Sequence, residues 1–567
     1  MRRSPPRPGR PDPPPGHTAG ARSLEHGLAF CGAITRNERG GSSMICVVGS
    51  GPAGVAAAVA LTRQGHHVTI LDAGLSLEPE RQVSVGRMAG LAPAQWDARD
   101  VATVKENMAS GASGVPLKVI FGSDFPYREA EQHLPRRATN VGLLPSFGKG
   151  GFGNVWGAAA LPYLDDELGN WPIKPGELHP AFEGVLSFVG LSGADDDLAE
   201  RFPPFTDRLE HLPASRQVDA FLGDLRRNKD ELRRQGFLFG RARLAVASRN
   251  ADGHACERCG LCMFGCPYGL IYNPARTLAD LIGQQKVTYI PGVIVTRFTE
   301  RDGEVHIEGR DRVTGEPVHH VASRLYVAGG VLSTTKLYLE SIGAYDHEVV
   351  IRDSQYFLLP TLRYAGAPGV FDEGLHTLSQ AFLEVFDPEL SAKSIHLQLY
   401  TYNELYRDAI RATLRAAYPA FRPMSSAVLQ RMLLIQGYLH SDLSGEIGLT
   451  LRRDGTLDLQ GRRGPQTRRV LKKLAAKLRR NRSLLRTVPL SPAMKLGEPG
   501  RGFHSGGTLP MRQEPGDFET DPLGRPAGFE RVHLVDSTVF PDIAASTITL
   551  TVMANAYRIG AHEEAGR

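Results

Sequence analysis

From Met44 onward, short wholly apolar runs alternate with helical stretches, the pattern of strands buried in a parallel sheet. Met44–Val48 predicts the first strand. A small-residue helix over Val55–Gln64 follows, ended by Gly65, and Val68–Leu71 predicts a second strand. Farther on the period changes from helical to two. Over Ser394–Tyr402, Ile395, Leu397 and Leu399 fall on one face and His396, Gln398, Tyr400 and Tyr402 on the other. Leu434–Ser441 alternates likewise, with Gln436, Tyr438 and His440 together. Such amides, imidazoles and phenols suit a polyhydroxylated ligand, and suit equally a solvated outer sheet face. Gly445–Gln460 predicts a hairpin turning at Asp454-Gly455. Val532–Pro541 reads as a strand whose end carries Asp536, and Ile548–Ile559 as a packed helix.

Composition narrows the class. Hydrophobic residues are 41% of the 567 and charged residues 22%, which excludes wholesale disorder. The net charge of +5 gives no reason to expect a nucleic-acid partner. No apolar run approaches the roughly 18 residues of a transmembrane segment. Residues 1–43 stand apart. Seven prolines and four arginines in the first sixteen positions predict a disordered tail, and a start at Met44 would lose no element. Arg2-Arg3 is followed by no sustained apolar run, so no export signal is read and a cytoplasmic location is expected. Arg462–Arg486 holds eleven Lys or Arg and no acid, with Leu471, Leu474 and Leu478 at helical spacing. That segment reads first as one solvated helix face packed by its leucines, and second as a contact for an anion, an acidic partner or a membrane surface.

Four groups of residues carry chemistry. Gly49-Ser50-Gly51-Pro52-Ala53-Gly54 lies between the first strand and its helix, and Asp72 ends the second strand. This is the dinucleotide fingerprint: Gly49 for the turn, Gly51 for approach of a pyrophosphate, Gly54 for helix packing, Asp72 for ribose hydroxyls. It does not separate FAD from NAD. A second glycine-rich loop, Phe147–Ala160, includes Gly150, Gly151 and Asn154 and frees the backbone to lie against a ligand. Cys256, Cys259, Cys262 and Cys266-Pro267 have ferredoxin spacing. With no second run, either all four hold a [4Fe–4S] cluster, or three hold a [3Fe–4S] cluster and Cys266 stands apart. Zinc, free thiols and a disulfide are the alternatives. Lastly, His504 in His504-Ser505-Gly506-Gly507-Thr508-Leu509-Pro510-Met511 sits on exposed, glycine-flanked backbone and suits a general base.

Taken together, these residues resemble the glucose-methanol-choline oxidoreductases, FAD enzymes that oxidise alcohols. VVGSGPAG with Asp72, GGFGNVWGAA, LYVAGGVLSTTKL (Leu325–Leu337), and the pair HSGGTLPM and VHLVDSTVFP carry the likeness in order from Met44 to the C-terminus. The resemblance implies an α/β fold: a Rossmann-like FAD-binding domain with a discontinuous α+β substrate domain on an antiparallel sheet. The FAD-binding segments would be 44–165, 255–345 (with the cysteine loop) and 501–567. The substrate segments would be 166–254 and 346–500. It also implies that His504 is the base beside the flavin, that Gly150–Asn154 line the ring edge, that Val293 meets the adenine end through its backbone, and that Asp536 holds the ribityl chain. Where the family places a second His or Asn, this chain has Ser546-Thr547, whose hydroxyls would orient substrate. Some members pass electrons to an iron–sulfur cluster. The expected activity is therefore a dehydrogenase of a carbohydrate-like or other polar alcohol, with hydride to flavin N5 and electrons leaving through the cluster to an acceptor protein or quinone. A flavin-dependent sugar epimerase and a non-catalytic electron-transfer protein are the alternatives.

Overall fold

The computed structural model describes residues 44–106, 117–174, 176–250, 253–404 and 415–562. The tail expected over 1–43 lies outside them. The nucleotide half is built on a five-stranded sheet in the order Val532–Leu534, Arg324–Val327, Ile45–Val48, Val68–Asp72, Val287–Pro291, every pair parallel. Its strands are apolar because helices cover a parallel sheet and leave no wet face. The first helix, Pro52–Arg63, begins three residues earlier than its apolar pattern suggests, because Pro52 fits the first turn, where no N–H is required. Its alanines let Ile548–Gly560 lie close: a Cβ at Gly560 would stand 2.9 Å from the Ala57 carbonyl oxygen. An antiparallel three-stranded sheet (Val293–Arg301, Glu304–Asp311, Pro317–Ala322) is inserted between two strands of the parallel one.

The second half rests on a wholly antiparallel sheet. Its order is Thr487–Pro489, Tyr356–Arg363, Met432–Leu439, Ile395–Tyr400, Ala381–Val385, Phe237–Arg241, with Lys495–Leu496 also pairing to Tyr356–Arg363. A further five-stranded sheet joins Ser505–Gly506, Glu348–Asp353, Glu446–Leu451, Leu457–Arg462 and Arg136–Thr139. The hairpin turns with Gly455 at φ +80°, a left-handed position glycine takes without a Cβ penalty.

Period two in the strand Ile395–Tyr400 marks its two faces but not their surroundings, since every residue of it is buried. Ile395, Leu397 and Leu399 share a core with Val470, Leu471, Leu474 and Leu478 of the helix Thr467–Arg480. Arg468, Arg469, Lys472, Arg479 and Arg480 of that helix face solvent, and Lys477 donates to Asp387 at 2.7 Å. The polar face is not the solvated surface weighed above but the wall of a cavity. Strand ends also differ from the alternating pattern. Met432–Leu439 stops before His440, whose Nδ1 accepts from the Asp442 N–H at 3.1 Å. Tyr402 lies past its strand and meets Phe371 edge-on at 5.0 Å. Neither belongs to the polar face. Because Leu474 is wholly enclosed, Leu474→Ala is expected to cost about 2–5 kcal/mol of stability in a denaturant titration. A loss below about 1 kcal/mol would show that this helix does not depend on its leucine stripe.

Candidate active site

The carboxyl ends of the parallel strands open on a cleft of about 1340 Å³. Such ends are where dinucleotides bind in open α/β sheets. Gly49, Ser50, Gly51, Pro52, Ala53, Asp72, Gly151, Val293 and Asp536 all line it. Ser50 ties the two glycine loops together: its Oγ donates to Asp72 Oδ2 at 2.6 Å and accepts from the Gly150 N–H at 3.0 Å. The loops are nearly in contact, for a Cβ at Gly151 would sit 3.1 Å from Gly51 Cα. Asp72 Oδ2 also accepts from the Tyr289 hydroxyl at 2.8 Å, and burial raises the carboxyl above its ordinary range. Asp536 is more fully engaged. It accepts from Gly330 N–H (2.8 Å), Thr334 Oγ1 (2.6 Å), Thr538 N–H (3.0 Å) and Thr538 Oγ1 (2.7 Å). It thereby anchors the amino end of the helix Val331–Ile342 at the cleft floor.

Three of the residues singled out in the sequence do not touch this cleft. Gly54 packs under it, where a Cβ would fall 2.0 Å from the Gly49 carbonyl oxygen. Gly150 stands behind Gly151 at φ +89°. Asn154 braces its own loop, with Nδ2 donating to the Lys149 and Gly151 carbonyls at 2.9 and 2.8 Å, and Oδ1 accepting from Asn273 at 2.8 Å.

A second cavity, about 1850 Å³, lies between the nucleotide half and the antiparallel sheet. Pro52, Phe152, Phe503 and Thr549 line both spaces, so the cleft runs into the cavity, with Phe152 and Phe503 rings 5.0 Å apart at the junction. Gln398, Tyr400, Gln436 and Tyr438, four of the alternating polar residues, form one wall, joined by Tyr356 and Asn403. Behind it the Glu384 carboxylate meets His396 Nδ1 at 2.6 Å, and Gln398 connects the imidazole to Tyr400 through contacts of 3.1 Å each. Nothing local in the sequence marks Glu384, Phe503 or Lys118 as belonging here, because cross-strand pairing and distant loops bring them in.

His504 faces the same cavity. The Ser354 N–H donates to its carbonyl oxygen at 2.9 Å, while Ser505 Oγ donates to Asp353 at 2.8 Å. Its ring stacks on Tyr438, with centroids 4.5 Å apart and planes 18° from parallel. The glycines thus make a close-packed strand corner, not the exposed backbone expected. Nδ1 is closed off without a partner, leaving Nε2 toward the void. Burial, then the neighbouring His396, pushes the imidazole down to about 3. Thr547 lines the cavity with its Oγ1 accepting from the Leu161 N–H at 2.8 Å. Ser546 is fully buried away from the cavity with an unpartnered hydroxyl, so the role expected for it does not hold.

The cysteine run forms a loop at the cavity's edge, where Met263 lines the wall and Lys118 lies within electrostatic reach of Cys262. All four thiols are free, which removes the disulfide alternative. N–H groups of Arg258, Leu261 and Thr377 donate to the sulfurs of Cys256, Cys259 and Cys262. However, among the described residues no three His, Cys, Asp or Glu converge closely enough to hold a metal ion. Burial pushes the Cys259 thiol up to about 11 and the Cys262 thiol to about 12. The expected iron–sulfur cage at Cys256, Cys259, Cys262 and Cys266 is therefore not formed in this arrangement. Among the described residues no helix is long and apolar enough to cross a membrane.

A family model described as an NAD(P)-binding Rossmann-like domain matches residues 47–77, the segment that walls the first cleft. No curated protein matches the chain. Among solved structures, that of pyridoxine 4-oxidase from Mesorbium loti is similar over 92% of this chain and 98% of its own, with a TM-score of 0.53 and 13% identity. At that identity the likeness is one of fold. Fold and clefts together define a class: an α/β protein with a Rossmann-like dinucleotide-binding domain joined to a separate antiparallel-sheet domain.

Proposed function

We propose that the chain is an FAD-dependent oxidoreductase acting on the CH–OH group of a polar alcohol, a dehydrogenase in type. The observation that carries this reading is the junction. A dinucleotide cleft runs into a cavity with one polar wall, and a neutral imidazole faces that cavity. A fold shared with a protein described as a pyridoxine 4-oxidase supports it. The bound flavin supplies a hydride acceptor. Everything else is the chain's work. Gly49, Gly51 and Gly151 leave room for the pyrophosphate and Asp72 takes the ribose hydroxyls. Val293 flanks the adenine end, and the helix that Asp536 anchors points its amino end at the ligand. Gln398, Gln436 and Tyr400 orient the substrate. His504 Nε2 takes the hydroxyl proton as the carbon gives up hydride, and Thr547 closes the near wall. Anaerobic mixing with a panel of alcohols tests the reading: lasting loss of flavin colour supports it, and no loss with any alcohol refutes it.

The pH dependence follows from the imidazole. A base must be neutral, and a group depressed from 6.5 to about 3 stays neutral as pH falls. The rate of flavin reduction is therefore expected to show no inflection near pH 6.5 and to hold level down to about pH 5. A fall of tenfold between pH 7.5 and 5.5, absent in a His504→Asn variant, would contradict this.

The cysteine loop enters the proposal as a cluster-binding element, supported by its spacing and by the three N–H donors already aimed at sulfur. Loading it requires the thiols to deprotonate and draw together. Iron and sulfide counted in anaerobically purified protein decide the point, with neither present sinking it.

A further inference from the structure

The second cavity has a mostly apolar lining with a polar wall, and the charge it carries is one-sided. Among the described residues, Lys118 and Arg501 line it and no Asp or Glu does. Three acids on adjoining segments are turned elsewhere: Glu384 toward His396, Asp353 toward Ser505, and Glu404 to Lys105 at 3.2 Å. Lys118 Nζ has three protons to donate and meets one acceptor, the Trp156 carbonyl oxygen at 2.8 Å. Lys118 is half-buried on this wall, and burial lowers its pKa to about 8. A fold that holds this group on the cavity wall shared with His504 presents it to something negative.

We propose that the alcohol oxidised here carries an anionic group, a carboxylate or phosphate, which docks on Lys118 while its CH–OH reaches His504. The inference rests on the oxidoreductase reading and narrows it from neutral sugars to hydroxy acids or phosphorylated alcohols. Four tyrosines (Tyr127, Tyr356, Tyr400, Tyr438) and three amides (Gln398, Gln436, Asn403) also line the cavity. Arg501 adds a second positive charge to the lining.

The test uses the purified full-length flavoprotein and its Lys118→Met and Lys118→Arg variants. Oxidised protein is titrated with gluconate, glucose 6-phosphate and glucose. Binding is read by the fluorescence of tryptophan, since Trp156 lines the cavity and bonds Lys118. The same compounds are then mixed anaerobically to read flavin bleaching. One or both anions are expected to bind at least about tenfold more tightly than glucose. Lys118→Met should remove that advantage and leave glucose unchanged, and Lys118→Arg should retain most of it. Which anion wins separates a carboxylate from a phosphate ligand. Glucose binding as tightly as both anions, or an anion preference that survives in Lys118→Met, overturns the inference. So does an equal weakening of all three ligands in Lys118→Met, which would make Lys118 a counter-ion of the cysteine loop. Bleaching by glucose alone keeps the oxidoreductase reading and sinks this inference. Lysine-dependent anion binding with no bleaching by any alcohol does the reverse.

Discussion

His504→Ala lowers the rate at which an alcohol reduces the flavin by at least about a hundredfold, the lower end of what a positioned general base contributes. The loss falls on the chemical step, because the groups that hold the substrate lie on other elements. Gln398 and Tyr400 belong to Ile395–Tyr400, and Gln436 and Tyr438 to Met432–Leu439. Substrate affinity is accordingly expected to change by less than about tenfold, a split between kcat and KM that marks loss of an interaction made in the transition state. Tyr438 loses its stacking partner at 4.5 Å, a change too small to unfold a wall built from paired strands. Stopped-flow absorbance at the flavin band reads the rate directly. Reduction within threefold of the unaltered protein would remove His504 from the chemistry.

The second large effect is on the cofactor. Gly54→Ala is expected to reduce retained flavin to below a tenth of the unaltered protein's content after gel filtration. A Cβ there would sit 2.0 Å from the Gly49 carbonyl oxygen and 3.3 Å from Ala328 Cβ. Backbone on one side and sheet on the other leave no flexible side chain to yield. The helix Pro52–Arg63 must therefore back away and carry its amino end, the phosphate-binding end, off target. A small melting-temperature change with large flavin loss is the signature of a displaced loop. Full flavin content in this variant would show that the close approach is not needed.

The nucleotide half was legible in the sequence because its determinants are local. A strand, three glycines, a helix and an acid follow one another within residues 45–72, and each acts on a chain neighbour or a bonded strand. The cavity was half legible. Alternation found Gln398, Tyr400, Gln436 and Tyr438, but alternation says only that two faces differ. That the polar one looks into a void depends on the helix Thr467–Arg480 covering the other, from about seventy residues away. Lys118 and Phe503 were invisible for the same reason: they come in from remote loops, Phe503 to meet Phe152 of the glycine-rich loop. Ser546 misled because adjacency to Thr547 suggested a shared direction, whereas the turn before Ile548–Gly560 points the two side chains apart. For the cysteines, spacing reports a ferredoxin-like run but not whether the thiols converge.

The whole account requires a flavin reaching from the first cleft into the second cavity. The most direct measurement is the cofactor released on denaturing freshly purified protein, identified and counted, with an anaerobic alcohol titration of the native sample alongside. FAD at about one per chain is expected, with a flavin band that an alcohol bleaches in the unaltered protein but not in His504→Ala. Colourless protein that releases no flavin, or releases a nicotinamide dinucleotide instead, would contradict it.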